Sequence, residues 1–308
     1  MAHNPERLSR LRAVMGEQGI DVLYVRELSN TSWATGFERV FDDEPAHALV
    51  VSARNCVLHT DSRYFDAMKS AAADTDIEVD NSRMAHSAVL AQVSDCIDGD
   101  IVRVGIEDSM PLAEYRALQR TFEGRAIDLV ELSGFVEELR QVKDESEITA
   151  MRKAQSITDA AFANIIAFMK PGMTEREVQL QLDRYMYEGG AEGLAFGTIV
   201  ATGAHAASPH AIPGETKLAF GDAVVMDFGA RYAGYCSDMT RTVFVGEPSD
   251  EARRAYGAIR RANEECEAML RAGLSGADVH QHAEAVLEEE GFGGAMTETS
   301  AYLLSKMT

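Results

Sequence analysis

Two aspartates, in apolar segments separated by glycines, constrain the fold of this chain more than any other sequence feature. Asp227 lies within the apolar run 224–229, and Asp238 follows eleven residues later in the segment 234–242. Short β-compatible runs separated by glycines predict two antiparallel strands with a close connection. A carboxylate inside an apolar strand is costly unless its charge has a partner. The pattern therefore predicts a hairpin whose buried carboxylate needs a cation or a donor.

Strand alternation decides whether the two carboxylates can meet. Asp238 shares one face of its strand with Thr240, because successive side chains point to opposite faces. The two aspartates can thus converge across the hairpin, and their oxygens suit hard divalent cations. The structural alternative is that both cap turns or pair with Arg231 or Arg241. Spacing alone does not choose between these readings.

His210, in the segment Ser-Pro-His, is the histidine with the clearest chemical potential. A neutral imidazole in a loop after a strand can bind a metal or donate to a developing oxyanion. An ordinary solvated loop histidine is the alternative, and His205 is a weaker candidate. The remaining histidines are expected to be structural or on the surface: His47, His59, His86, His280 and His282.

Composition excludes several functional classes. The chain has 308 residues, 46% apolar residues and a net charge of −21, which argues against nucleic-acid and anionic-membrane partners. No apolar run is long enough for a transmembrane helix, and residues 1–7 do not resemble a secretory signal. The four cysteines are scattered without a metal-type spacing, which predicts mostly buried thiols in a cytoplasmic protein.

The order of patterns predicts two domains. Residues 1–137 alternate short helices and strands and predict an α/β domain, whereas residues 138–308 open with a long helix and carry the aspartates. Thr174 and Glu177 form a capping-box pattern that starts a second helix. The helix breakers at Gly172 and Gly190 recur near the end of the chain, which predicts a duplicated α+β unit.

The contexts of Asp227, Asp238 and His210 resemble those of the M24 metallopeptidases, in the Xaa-Pro aminopeptidase and prolidase branch. The segments 196–200 and 219–222 strengthen this resemblance. Residues 19–21 and 61–64 look like the creatinase-type N-terminal domain of the same family. The resemblance covers nearly the whole chain up to about Phe292, and the aspartate hairpin is its most specific part.

The resemblance implies a creatinase-like α/β domain followed by a duplicated α+β "pita-bread" domain. It also implies a dinuclear site of two Asp, one His and two Glu, holding Mn²⁺, Co²⁺ or Zn²⁺. Asp227 and Asp238 match the two Asp, with Asp238 bridging, and His210 matches the histidine that steadies the tetrahedral intermediate. Proline-containing peptides are the implied substrates, hydrolysed before proline, and a homodimer is possible.

The segment 294–308 departs from the family pattern. It contains no histidine, and Glu298 has no surroundings that resemble a ligand strand. The expectation is a second repeat lacking its last strands, an incomplete metal site and an inactive or impaired peptidase. Positions such as Ala285, Val286 and Leu287 are then expected to lack part of their cover. Two alternatives remain: a non-catalytic binding or assembly protein of the same fold, and a creatinase-like, metal-free C–N hydrolase.

Overall fold

A computed structural model describes residues 5–37, 39–42 and 44–294 of the chain. The chain divides into two compact units, Met1–Ile148 and Thr149–Thr308. This division falls somewhat later than the predicted boundary between residues 137 and 138. Within the described ranges, no helix is long and apolar enough to cross a membrane.

The first unit contains a six-stranded mixed sheet. Its strands are β1 (Val22–Val25), β2 (Ala48–Ser52), β3 (Cys56–His59), β4 (Glu78–Asp80), β5 (Val102–Glu107) and β6 (Ile127–Leu132). They lie in the order β4-β3-β2-β1-β5-β6, and the β1–β2 and β2–β3 pairs are antiparallel whereas the other pairs are parallel. The predicted α/β character of this domain is confirmed.

Helices accompany this sheet and give it two buried faces. They are α1 (Pro5–Glu17), α2 (Leu28–Thr35), α3 (Phe65–Ala71), α4 (His86–Asp95), α5 (Leu112–Thr121) and α6 (Phe135–Gln141). Along β1, Leu23 packs into one apolar core and Tyr24 into the other. A strand buried on both faces requires a continuous apolar run rather than an alternating one, which is why residues 22–25 read Val-Leu-Tyr-Val.

The second unit combines long helices with two small antiparallel sheets. The elements are α7 (Glu145–Phe168), α8 (Glu175–Glu188), β7 (Gly193–Leu194), β8 (Ile199–Thr202), β9 (Ala223–Phe228), β10 (Ala230–Tyr232), β11 (Tyr235–Cys236), β12 (Met239–Phe244), α9 (Asp250–Met269) and α10 (Gly276–Glu289). One sheet has the order β12-β9-β8 and the other β11-β10-β7. Met226 and Phe228 of β9 pack into the same core as Ile165 of α7 and Leu182 of α8.

The predicted start of α8 is confirmed in detail. The Thr174 hydroxyl accepts from the Glu177 backbone N–H, and the Glu177 carboxylate accepts from the Thr174 N–H at 2.7 Å. These reciprocal bonds satisfy two N–H groups that a helix start otherwise leaves unpaired. The helix ends at Glu188, and Gly190 then adopts a φ of +98° that side-chain-bearing residues rarely tolerate.

Helices α9 and α10 form a pair with a core of its own. Val286 and Leu287 are buried in a cluster with Ala262 and Cys266 of α9. The expectation that Val286 and Leu287 lack cover is therefore wrong, because α9 supplies the apolar surface that the prediction assigned to a sheet. Ala285 is exposed, as its position on the opposite side of α10 requires.

Candidate metal site

Asp227 lies near the end of the central strand of the β12-β9-β8 sheet. Its backbone is opposite Thr240 on β12 and Ile199 on β8. Only 7% of the residue is exposed, and the Thr240 hydroxyl donates to Asp227 Oδ1 at 3.0 Å. A buried carboxylate held by a neighbouring hydroxyl is fixed in orientation.

Asp238 immediately precedes β12 and is exposed. The register pairs Thr240 with Asp227, so Asp238 lies at the diagonal position two residues earlier. Diagonal positions in antiparallel pairs remain within reach of side chains on the same face. Between the aspartates the chain makes a second small hairpin, β10–β11, instead of the simple turn that the spacing suggested.

A buried hydroxyl pair fixes the backbone just before Asp238. The Ser237 and Thr158 hydroxyls lie 2.6 Å apart, and the Ala230 N–H donates to Ser237 Oγ at 2.9 Å. The Ser237 N–H in turn donates to the Ala230 carbonyl at 2.9 Å. Helix α7 thereby connects to the segment that carries Asp238. Sequence reasoning missed Ser237 and Thr158, since isolated hydroxyl residues carry no distinctive pattern.

Gly229 is required where the two strands of the aspartate hairpin approach each other. A Cβ at Gly229 would collide with the carbonyl of Ser237 and lie 3.0 Å from the Ala195 Cβ. Glycine thus permits the close backbone approach that sets the position of residue 238 relative to β9.

His210 lies in a turn after β8 and the 3₁₀ segment Gly203–Ala207, and it is exposed. The segment is held by Glu175, the first residue of α8, which is fully buried. Glu175 accepts from the Thr202 N–H at 2.9 Å, from His205 Nδ1 at 2.8 Å and from the Gly214 N–H at 3.1 Å.

One carboxylate thus holds the segment before His210 at Thr202 and the segment after it at Gly214. A buried carboxylate with several hydrogen bonds is satisfied without a salt bridge to Lys or Arg. In the sequence, Glu175 is one of two acidic residues in the first turn of α8. Acidic residues are common at this position of a helix, so nothing in the sequence marked Glu175 as buried. His205, the weaker histidine candidate of the sequence analysis, is its partner.

The described ranges contain no group of three or more His, Cys, Asp or Glu side chains arranged to hold a metal. Asp227 and Asp238 supply hard oxygen donors on one hairpin, and this donor set fits a divalent cation such as Mn²⁺. Arg241 donates to the Thr240 carbonyl at 2.8 Å and its guanidinium lies over Phe162, while Arg231 faces Glu192. Glu298 lies outside the described residues.

The fold defines a creatinase-type α/β domain followed by a pita-bread peptidase domain, and comparison with known families gives the same result. Residues 7–142 match the Creatinase/Prolidase N-terminal domain, and residues 149–304 match Metallopeptidase family M24. The chain belongs to metallopeptidase family M24. The resemblance read from the aspartate contexts is confirmed, as is the predicted fold class.

Among known protein sequences, the chain is 32% identical to the "Uncharacterized peptidase YqhT" of Bacillus subtilis, and the match covers 93% of this chain and 78% of that protein. Among solved structures, it resembles the Xaa-Pro dipeptidase from Bacillus anthracis at 32% identity and a TM-score of 0.82, covering 94% of this chain and 78% of that one. It also resembles an X-Pro aminopeptidase from Thermotoga maritima at 31% identity and a TM-score of 0.79, covering 93% and 78%.

Proposed function

We propose that this chain belongs by lineage to the metal-dependent peptidases that act on peptides with proline in the second position, and that with only the ligands of its described ranges it is inactive or impaired. The observation that carries the proposal is the buried carboxylate of Asp227, held by Thr240 on a hairpin whose other arm begins at Asp238. Relatives named for Xaa-Pro dipeptidase and X-Pro aminopeptidase activity share the fold over more than nine-tenths of the chain.

Asp227 and Asp238 are the proposed residues that would hold the divalent metal. A bound metal centre would supply an activated water molecule and a Lewis acid for the scissile carbonyl. The Thr240 hydroxyl orients Asp227 by occupying Oδ1, and the Ser237–Thr158 pair holds the backbone that presents Asp238. Two carboxylates bind a cation only weakly, so the proposed centre needs further ligands beyond those in the described ranges.

His210 is the proposed donor to the oxyanion that develops on the substrate carbonyl. An imidazole N–H aimed at that oxygen stabilises the transition state more than the substrate. Its loop is tied to a buried carboxylate at both ends, so the histidine is presented from a rigid base. Rigid presentation lowers the reorganisation that the reaction would otherwise require.

Three further features belong to this proposal. A small, proline-containing peptide is the proposed substrate, because the structural relatives are named for Xaa-Pro dipeptidase and X-Pro aminopeptidase activity. A homodimer is the proposed assembly, as expected from the family resemblance. A cytoplasmic location is proposed from the four cysteines, which are free thiols in the structure.

The decisive experiment compares the 308-residue chain with a chimera that adds the C-terminal segment of the Bacillus anthracis relative. We expect the isolated chain to have little turnover of Gly-Pro with Mn²⁺ or Co²⁺, because two ligands do not fix a dinuclear centre. The chimera should hydrolyse Gly-Pro in a metal-dependent manner and should leave Gly-Ala essentially intact.

Matched variants of the chimera assign the residues. Asp238→Asn should abolish turnover, whereas His210→Ala should lower kcat with little change in metal content, because it is not a proposed ligand. Asp250→Asn, at the start of α9, is the control and should have no effect. A chimera that folds, binds Mn²⁺ and still cleaves no Xaa-Pro peptide would support the non-catalytic alternative.

A further inference from the structure

Two histidines of the first unit lie with ring nitrogens facing each other. His59 Nδ1 and His86 Nδ1 are 2.6 Å apart, and the rings are nearly perpendicular at 79°. His59 lies on β3 and is 2% exposed, whereas His86 is the first residue of α4 and is half-buried. Neither residue belongs to the aspartate hairpin or to the proposed peptidase chemistry.

The hydrogen bonds of His59 fix which nitrogen carries its proton. Its Nε2 lies 3.0 Å from the Ser82 carbonyl, which only accepts, so Nε2 is the protonated nitrogen. The carboxylate of Asp80 lies 3.6 Å from the same Nε2. His59 Nδ1 therefore presents a lone pair toward His86. Metal-binding histidines in proteins are oriented in the same way, because the ring N–H that does not face the metal donates to a carbonyl or a carboxylate.

His59 and His86 both line a solvent-accessible cavity of about 400 Å³. Asp61, Arg83 and the thioether-bearing Met84 line the same cavity. The cavity is large enough for an ion with its water ligands, since one water needs about 30 Å³. Asp61 at the wall is paired with Arg63 at 2.8 Å, and the nearby Arg26 is paired with Glu114 at 2.7 Å.

We propose that His59 and His86 form a two-imidazole site for a late first-row transition-metal ion, with copper(II) bound most tightly. Copper(II) stands at the top of the affinity order for nitrogen ligands and prefers tetragonal geometry. Adjacent nitrogens about 2.0 Å from an ion in that geometry lie about 2.8 Å apart. The observed separation is 2.6 Å. The half-buried His86 ring must rotate out of this hydrogen bond so that both nitrogen lone pairs point at the ion.

Binding requires His86 to present a lone pair at Nδ1. In the metal-free chain His86 Nδ1 donates its proton to His59, so the proton must move to His86 Nε2 through solvent. The ring stays neutral in this exchange, and no net proton is released.

The remaining coordination positions fall to water. The described ranges contain no cluster of three or more His, Cys, Asp or Glu side chains suited to a metal, so this is a site of two protein nitrogens. Such a site is open to an exogenous ligand, in contrast to closed structural sites with four protein ligands. The site is in the first unit and does not depend on the proposed peptidase activity.

The test is an equilibrium titration of the full chain with Cu²⁺ against a competing chelator, combined with electron paramagnetic resonance. All samples carry His3→Ala, so that the amino terminus offers no imidazole, and Asp238→Asn, so that the hairpin carboxylates are weakened as ligands. We expect one Cu²⁺ per chain with nitrogen hyperfine structure from two imidazoles, and weaker binding of Zn²⁺.

Substitution decides the assignment. His86→Gln should weaken Cu²⁺ binding by about tenfold or more and remove one imidazole from the spectrum. His280→Gln, at a half-buried histidine of another helix, α10, is the control and should change neither the affinity nor the spectrum. Unchanged affinity and an unchanged spectrum in His86→Gln would overturn the proposal. Because His59 is buried, the half-buried His86 carries the test even if His59 variants do not fold.

Discussion

The carboxylate of Glu175 and the imidazole of His205 are joined by a hydrogen bond from His205 Nδ1, with distances of 2.8 and 3.0 Å to the two oxygens. Glu175 is fully buried, and the side chain of His205 is 36% exposed. The same carboxylate accepts from two backbone N–H groups that bracket His210. A single side chain therefore fixes the shape of the loop that carries the proposed oxyanion donor.

Glu175→Ala should destabilise the chain by about 3 kcal/mol, because it leaves several buried donors without an acceptor. Urea unfolding measures this loss, and hydrogen exchange should accelerate at the Thr202 and Gly214 amides. Glu188→Ala is the control, since Glu188 makes an exposed pair with Arg184 and should cost less than about 1 kcal/mol. Equal losses in the two variants would contradict the role given to Glu175.

Gly229→Ala should destabilise the aspartate hairpin by about 3 kcal/mol or more, because the new Cβ meets the Ser237 carbonyl. Thermal unfolding and Mn²⁺ titration should both report the change, since residue 238 is displaced. Gly257→Ala provides a matched control inside α9, where nothing lies within 4 Å of an added Cβ. That control should gain about 0.5–1 kcal/mol from the better helix propensity of alanine.

Thr240→Val removes the hydroxyl that donates to Asp227 while keeping the side-chain shape. We expect Mn²⁺ binding, measured calorimetrically, to weaken by about tenfold because the ligand loses its orienting partner. Thr242→Val is the control two residues along β12, where the buried Thr242 hydroxyl has no hydrogen-bond partner. Its replacement should leave metal binding unchanged. Equal weakening in both variants would show that Thr240 acts through general packing.

The pKa shift of Asp183 fixes the direction in which its contribution to stability changes with pH. Burial raises the pKa of Asp183 above 3.8, although the Thr198 hydroxyl that donates to it opposes the shift. The folded chain thus holds this proton more tightly than the unfolded chain, so the contribution of Asp183 is fully present below pH 3.8 and is lost as pH rises through the folded pKa.

Asp183→Asn should therefore raise the Tm relative to the parent at pH 7, with a difference that shrinks as the pH approaches 4. Differential scanning calorimetry across that range measures it. Thr198→Val, with Asp183 retained, removes the hydrogen bond that lowers the pKa of Asp183. The Tm of this variant should therefore fall more steeply with rising pH than the Tm of the parent chain. A Tm difference that does not change with pH would show that the titration of Asp183 does not affect stability.

Leu287→Ala tests the pairing of α10 with α9. Leu287 is 5% exposed and packs in the cluster that contains Ala262 and Cys266. The cavity should cost about 3 kcal/mol in the unfolding of the second unit. Leu270→Ala is the matched control, because Leu270 is 64% exposed and should change stability by less than about 0.5 kcal/mol. Strong dye binding by the parent chain would indicate that apolar surface remains uncovered elsewhere.

Local patterns predicted the elements whose residues interact with near neighbours. The capping box at Thr174 and the strands around Val22 and Val224 follow from hydrogen-bond complementarity and apolar runs, and the structure contains them. The pairing of Val286 and Leu287 with α9 was not predicted, because periodicity shows that a helix has an apolar face and does not show what covers it.

The sequence by itself determined the class of the chain, since the residues around Asp227 and Asp238 resemble those of metallopeptidase family M24, and residues 149–304 match that family. Only the tertiary structure revealed the buried supports of the site and the facing nitrogens of His59 and His86. Glu175 and His205 are 30 residues apart and interact only after α8 and the loop beyond β8 pack together. Hydrogen bonds between distant segments depend on the relative placement of whole elements, which no local pattern encodes.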